Sequence, residues 1–301
     1  MSSQGIRAQL ASIIERAPGA IRRRLRYRLH PRALRWKHLK KHHPTEPVIT
    51  SLGRSLRVRV YPHDIIGQYI YVDGVFEPAE WRFAADYLRE GMTFFDLGAN
   101  LGQYTLLAAS RVGRSGGVHS FEPCKRMFEE LTFNVSLNGF SETCVLNNVA
   151  VSERGGWATL STYPPGYEVY GSIGLTERPE GQRVGSEEVQ TIGLDDYIAE
   201  KHVDHVDLVK IDIEGAELLA LRGAKGLLSR PDAPTILIEL ADVNTRGFGY
   251  AAVEVWDWLA GLGYRLHGLR ACGRRLDVIE RPDDFSTAMN IVAMKTDKRT
   301  C

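Results

Sequence analysis

From residue 93 onward, short apolar runs take turns with segments of helical periodicity, and that alternation admits few folds. TFFDLG, GGVHSFEP, CVLNNVAVS, VDLVKIDIEG and PTILIEL read as strands. LGQYTLLAASRVG, CKRMFEELTFNVSLNG, AELLALRGAKGLL and AAVEVWDWLAGLG read as helices, and Met127, Leu131 and Val135 recur on one face of the second. Runs such as DLVKID are β-rich and bounded by turn residues, as strands covered on both faces should be. YRLHGL and STAMNIVAMK read as closing strands, antiparallel to the rest. The order βαβαβ…βαβ predicts an α/β fold, an open and mostly parallel sheet with helices on both faces. A chain of 301 residues is long enough to bury such a core.

Ahead of that core, VITSLGRSLRVRVYP reads as a hairpin turning at Gly53, and Pro78 and Gly91 bracket a helix. Residues 162–185 are rich in Gly and Pro and interrupt the alternation, which marks a long loop of functional interest. The expected organisation is a basic arm, residues 1–43, partly helical or disordered, followed by one domain over 44–301. Within that domain the hairpin and helix occupy 48–90 and the core 91–301.

The arm holds 12 Lys and Arg against the single acid Glu15, a net of +11. The remainder then holds 26 basic and 36 acidic residues, a net of −10. Apolar residues at helical spacing (Ile6, Leu10, Ile13; then Ile21, Leu25, Leu29) suit a basic amphipathic segment. Three readings follow: a solvated extension, contact with an anionic membrane, or contact with nucleic acid, the least favoured. No apolar run suits a secretory signal or a membrane-spanning helix, while composition alone does not separate the arm from a mitochondrial presequence. Cys124, Cys144, Cys272 and Cys301 form no CxxC pair, so reduced thiols in a cytoplasmic or membrane-peripheral chain are expected. Cys144 reads as core packing.

The chemistry concentrates at strand ends. FDLGANLGQYT places Asp96 at the end of the first core strand, with Gly98, Asn100 and Gly102 in the turn to the next helix. Ligands of open α/β sheets lie at such carboxyl ends. A dinucleotide site wants glycine where Asn100 stands, to admit pyrophosphate. The pattern D-x-G-x-N-x-G suits instead a ligand without phosphate there. Glu122, 24 residues after Gly98, ends the second strand and is suited to accept hydrogen bonds from two vicinal ribose hydroxyls.

FDLGANLGQYT, FEP, NVSLNG, NVAVSE and above all VDLVKIDIEGAELLALRGA resemble the FkbM-type methyltransferases, as does IYVDGVFEPAEW ahead of the core. The resemblance spans roughly residues 48–295 and excludes the arm. It implies a Rossmann-like class I methyltransferase fold of about seven strands and S-adenosyl-L-methionine as cofactor. Its implied reaction is methylation of a hydroxyl on a sugar, glycolipid or secondary metabolite, so a small-molecule or glycan acceptor. Carried over by residue, Gly98, Asn100 and Gly102 would cradle the amino-acid part and Glu122 the ribose. Asn148 to Ala150 would lie beside the adenine, and Asp96 would meet the ammonium directly or through water.

KIDIEGAE closes the fourth strand, where Lys210, Asp212 and Glu214 alternate in phase. A methyl transfer to oxygen needs an aligned hydroxyl and a group to take its proton. Asp212 is the first candidate base and Glu214 the second; Glu239, ending ILIEL, points at the same edge. Asp212, Glu239 and Asp242 or Asn244 would also suit a divalent metal such as Mg²⁺, although capping and cofactor roles are the favoured reading of these acids. His63 could approach the acceptor but reads first as a surface residue. Two rival functions are an RNA methyltransferase using the arm and a non-catalytic cofactor-binding scaffold.

Overall fold

A computed structural model describes residues 30–174 and 184–295. The expected helices before residue 30 lie outside the described residues. The chain enters on α1 (Pro31–His42), the hairpin β1 (Val48–Leu52) and β2 (Leu56–Val60), and helices α2 (Ile65–Asp73) and α3 (Pro78–Tyr87). The alternating part starts with β3 (Thr93–Leu97), α4 (Gln103–Val112), β4 (Gly117–Phe121), α5 (Lys125–Leu137) and β5 (Cys144–Asn147). Three strands then leave the core: β6 (Ala150–Val151), β7 (Gly156–Thr162) and β8 (Gly185–Ile192). The chain returns through α6 (Leu194–Lys201), β9 (Leu208–Ile211), α7 (Glu217–Arg222), α8 (Lys225–Ser229), β10 (Thr235–Leu240), α9 (Asp242–Thr245) and α10 (Ala252–Gly261). It closes with β11 (Tyr264–Leu269), β12 (Leu276–Val278) and β13 (Met289–Lys295).

The main sheet has eight strands in the order β12-β11-β13-β10-β9-β3-β4-β5. From β10 to β5 the pairings are parallel, whereas β13, β11 and β12 pair antiparallel. This is the expected α/β architecture, with the short edge strand β12 as one strand more than seven. Strand pleating sends neighbours to opposite faces, so two cores form. Phe94, Val118, Leu208, Leu237 and Val292 pack with α3, α4 and α5 on one face. Phe95, Phe121, Val209, Ile236, Ile238 and Ile291 pack with α6, α7, α8 and α10 on the other.

Some sequence expectations need correction. CVLNNVAVS is two strands, because after Asn147 the chain turns to join β8 in a separate sheet. The loop 162–185 is the long connection of a hairpin, since β7 and β8 pair from Gly156↔Thr191 to Thr162↔Gly185; residues 175–183 of it lie outside the described residues. AELLALRGAKGLL breaks at Gly223, where a Cβ would stand 2.2 Å from the Ser152 carbonyl oxygen.

The chain moves outward from β3 to β4 and β5, then returns to the other flank of β3 as β9. Strand order reverses there, and the helices that follow β3 and β9, α4 and α7, pack on opposite faces of the sheet, the arrangement that leaves a crevice at a switch point. Gly98 shapes it. Its φ is +81°, and an added Cβ would stand 1.8 Å from the carbonyl oxygen of Asp212. The bend after β3 therefore touches the backbone after β9, and only glycine lets the two approach so closely.

Candidate functional site

A cleft of about 930 Å³, partly open to solvent, runs along the carboxyl ends of β3, β4 and β9. Its outer end is walled by Glu122, Val149, Ala150 and Leu160, and its inner end by Glu77, Tyr104, Lys210, Asp212 and Glu214. Gly98, Asn100 and Leu101 form the floor between them. The mouth is lined by Ile66 and Phe76 from one side and by Glu168, Ser172 and Ile173 from the other. Segments 60–80 and 162–174 thus both reach the cleft. The second is tied at each edge: Ile65 N–H donates to Gly166, and the Ser172 hydroxyl donates to the Glu214 carbonyl at 2.7 Å.

Glu122 is buried, and both carboxylate oxygens are committed to the turn. Oε2 accepts from Asn100 N–H at 2.8 Å and Oε1 from Cys124 N–H at 2.9 Å. Each oxygen keeps a further lone pair for a ligand hydroxyl. Burial pushes this carboxyl up to about 7, against the lowering effect of the two amides. Asn100 sits at φ +50°, a left-handed conformation that a short amide side chain tolerates, and its Oδ1 caps the N–H of Leu101. Gly102, at φ +98°, leads into α4 where a Cβ would press on Leu131 at 2.8 Å.

Asn148 does not line the cleft. Its Nδ2 donates to the carbonyls of Glu122 and Pro123 at 2.8 and 3.0 Å, so it braces the Glu122 turn from behind, and Val149 and Ala150 supply the wall instead. Asp96 also lies below the floor. Its Oδ2 accepts from the Thr105 hydroxyl at 2.7 Å, while Oδ1 is buried without a hydrogen bond. Desolvation raises the Asp96 carboxyl, opposed by the charge of Lys210.

The inner end centres on Lys210, which the sequence places in phase with Asp212 but to which its pattern assigns no role. Asp96 and Lys210 are register partners on β3 and β9 and so emerge on the same face of the sheet. The Lys210 ammonium is buried, 2.8 Å from Asp212 Oδ2 and 4.6 Å from the Tyr104 ring centre. Burial alone would lower it, but Asp212, Glu77 and Asp96 outweigh that and hold it charged. The sequence pattern assigns no role to Glu77 either. A reciprocal pair of hydrogen bonds between Gln103 and the Phe76 backbone, at 2.8 and 2.9 Å, pins its loop over the cleft. Its carboxylate accepts from Tyr104 at 3.1 Å and from Asn290 at 3.2 Å, and its φ is +49°. The signal for it was the acid directly before Pro78 in the segment IYVDGVFEPAEW.

Glu214 reaches the cleft by a different route from the one expected. β9 ends at Ile211, so strand phase does not extend to residue 214; Glu214 enters on a left-handed turn at φ +52° followed by Gly215. Glu217 staples that turn by accepting from Gly215 N–H at 2.9 Å, and its burial pushes it up to about 7. Glu239 does not line the cleft, and burial beside Asp212 and Glu214 pushes it up to about 9. Two of the acids read as candidate metal ligands have partners of their own. Asp242 commits both oxygens to the N–H groups of Ala252 and Phe285, and Asp212 is paired with Lys210. No group of three His, Cys, Asp or Glu side chains converges to hold a metal among the described residues. His63 stands outside the cleft lining, bonded to the Pro44 carbonyl at 2.7 Å. Cys144 packs in the core, its thiol pushed up to about 12 by burial.

Residues 96–266 match the family described as Methyltransferase FkbM domain. The chain is 28% identical over 218 residues to the 31-O-demethyl-FK506 methyltransferase FkbM of Streptomyces tacrolimicus, covering 61% of this chain and 82% of that protein. Among solved structures it is similar to a putative rRNA methylase from Clostridium thermocellum, at 12% identity and a TM-score of 0.43 over 73% of this chain and 94% of that one. A SAM-dependent O-methyltransferase from Thermotoga maritima gives 16% identity and a TM-score of 0.40 over 87% and 82%.

Proposed function

The chain belongs to the FkbM methyltransferase family, and from that premise we propose that it transfers a methyl group from S-adenosyl-L-methionine to a hydroxyl of a sugar, glycolipid or secondary metabolite. The observation that carries the reading is one continuous cleft with Glu122 at one end and the Lys210–Asp212 pair at the other. The lining fits the cofactor part by part. The remaining lone pairs of Glu122 suit a ribose diol, and Val149, Ala150 and Leu160 offer an apolar wall to an adenine ring. The Asp96 Oδ1 that lacks a hydrogen bond, below the floor, suits an ammonium reached directly or through water.

When bound, the cofactor supplies a methyl group activated by a sulfonium centre. The chain's own residues then have three tasks. Gly98, Asn100 and Gly102 hold the turn open so that backbone, not side chain, borders the ligand. Asp212 accepts the proton of the acceptor hydroxyl, and Lys210, 2.8 Å from its Oδ2, orients the carboxylate. Glu77 and Glu214 accept hydrogen bonds from further hydroxyls of the acceptor. Support for oxygen as the methylated atom comes from these carboxylates and from the name of the Streptomyces relative. An RNA acceptor is disfavoured, since phosphates would face three carboxylates at the inner end and a body of net charge −10.

The test is calorimetry with S-adenosylhomocysteine together with labelled methyl transfer to lipid, polysaccharide and RNA fractions. Glu122→Ala should weaken cofactor affinity by about 2 kcal/mol, the scale of hydrogen bonds to a charged group. Asp212→Asn should keep that affinity and lose turnover. Absence of binding in the wild-type chain, or full turnover in Asp212→Asn, would remove the corresponding part of the proposal.

A further inference from the structure

Helix α1 is fixed to the body by two residues. Ala33 and Trp36 are both 2% exposed, and the Trp36 ring stacks 4.9 Å from Tyr71. The rest of the helix is turned outward: Arg32, Arg35, Lys37, Lys40 and Lys41 are exposed, and none meets an acid among the described residues. Arg32 reaches only the Ser51 hydroxyl, at 3.3 Å. Cations in the last turn favour the helix dipole, but Arg32 and Arg35 stand in the first half, where the dipole opposes them. No acid occupies the first turn. Helix stability therefore does not account for these two arginines.

They do border something. Arg32 and Arg35 line a groove between α1 and β1 together with Thr50, Ser51, Ile49 and Tyr71. Ile49, in that groove, is 50% exposed, and Leu34, on the outward side of α1, is 51% exposed. We propose that this face docks on an anionic phospholipid surface. Headgroup phosphates meet Arg32 and Arg35 with the hydroxyls of Thr50 and Ser51, and Leu34 and Ile49 enter the acyl boundary. Residues 1–29, which precede this helix in the sequence, hold seven arginines against the single acid Glu15, a net of +6 beyond the cations of α1. Two observations favour lipid over RNA. Half-exposed aliphatic side chains contribute to burial in a bilayer interface but not to contact with a phosphate backbone. Trp36 of α1 is buried and offers no indole face to a base, and the exposed rings of His38 and His42 lie 4.6 Å apart against each other.

The experiment is co-sedimentation of the full chain with vesicles of phosphatidylcholine alone and of phosphatidylcholine mixed with phosphatidylglycerol, at low and high salt. The full chain should sediment with the mixed vesicles alone, less so at high salt. R32Q/R35Q/K37Q should weaken that partitioning by roughly a hundredfold. L34S/I49S should weaken it about tenfold and leave any tRNA binding unchanged. All five positions are exposed or groove-lining, so unchanged melting temperatures and S-adenosylhomocysteine affinity should accompany both losses. Vesicle binding equal in wild type and both variants would overturn the proposal, as would failure of the full chain to bind. Vesicle binding that survives L34S/I49S and is fully competed by tRNA would show a polyanion patch instead and overturn it too.

Discussion

Replacing Lys210 by Met tests whether the inner end of the cleft is an electrostatic unit. The side chain keeps its length and loses its charge. Asp212 then lacks the partner at 2.8 Å, and Glu77 and Asp96 lose the one cation that opposes their burial. Removing one member of a fully buried pair costs about 3–5 kcal/mol; Asp212 is 28% exposed, so about 2–3 kcal/mol is expected here. For a domain of this size that lowers the melting temperature by on the order of 10 °C. The assay is urea denaturation of Lys210→Met, Asp212→Asn and the double variant. The double variant should be less destabilised than the sum of the singles by about 1–3 kcal/mol, since neutralising Asp212 removes the orphaned charge. A Lys210→Met protein within about 0.5 kcal/mol of wild type, or strictly additive singles, would refute the argument.

Gly98→Ala should destabilise by about 3 kcal/mol or more, through a Cβ 1.8 Å from the Asp212 carbonyl and a left-handed φ; denaturant midpoints check this, and wild-type stability would show that β3 and β9 do not meet as described. Stability should also fall as pH rises. Glu122 and Glu217 stand at about 7 and Glu239 at about 9, above the ordinary 4.5, so the folded state keeps protons that the unfolded state releases. The stabilisation is complete below pH 4.5 and is lost through pH 7 to 9, with Glu122 and Glu217 each contributing on the order of 3 kcal/mol. Denaturation at pH 5, 7 and 9 reads this directly, and a flat or rising profile would contradict it.

The alternation of β3, α4, β4, α5, β9 and β10 was legible because each buried strand is an apolar run and each helix repeats its apolar face. Glu122 and the Gly98–Gly102 turn were legible for a related reason: their residue types are tied to strand ends, and strand ends are visible. Lys210 and Glu77 were not. A lysine inside an apolar strand declares its partners only when Asp96, 114 residues earlier, comes into register beside it. Glu77 reaches the cleft through the Gln103–Phe76 clasp, which no local pattern announces. Glu239 misled in the opposite direction, since a strand-end acid looks the same in sequence whether it faces the ligand or sits apart. Glu214 lines the cleft, but it gets there through a left-handed turn after the strand has ended and not through strand phase.

Contact between Gly98 and the Asp212 carbonyl makes the turn after β3 and the end of β9 two sides of one rigid joint. Ile66, Phe76 and Ile173, by contrast, line the cleft from segments outside the alternating sheet. Changes in those segments can therefore reshape the cleft for a bulkier guest, while the spacing between the Gly98 turn and Asp212 stays set by main chain alone.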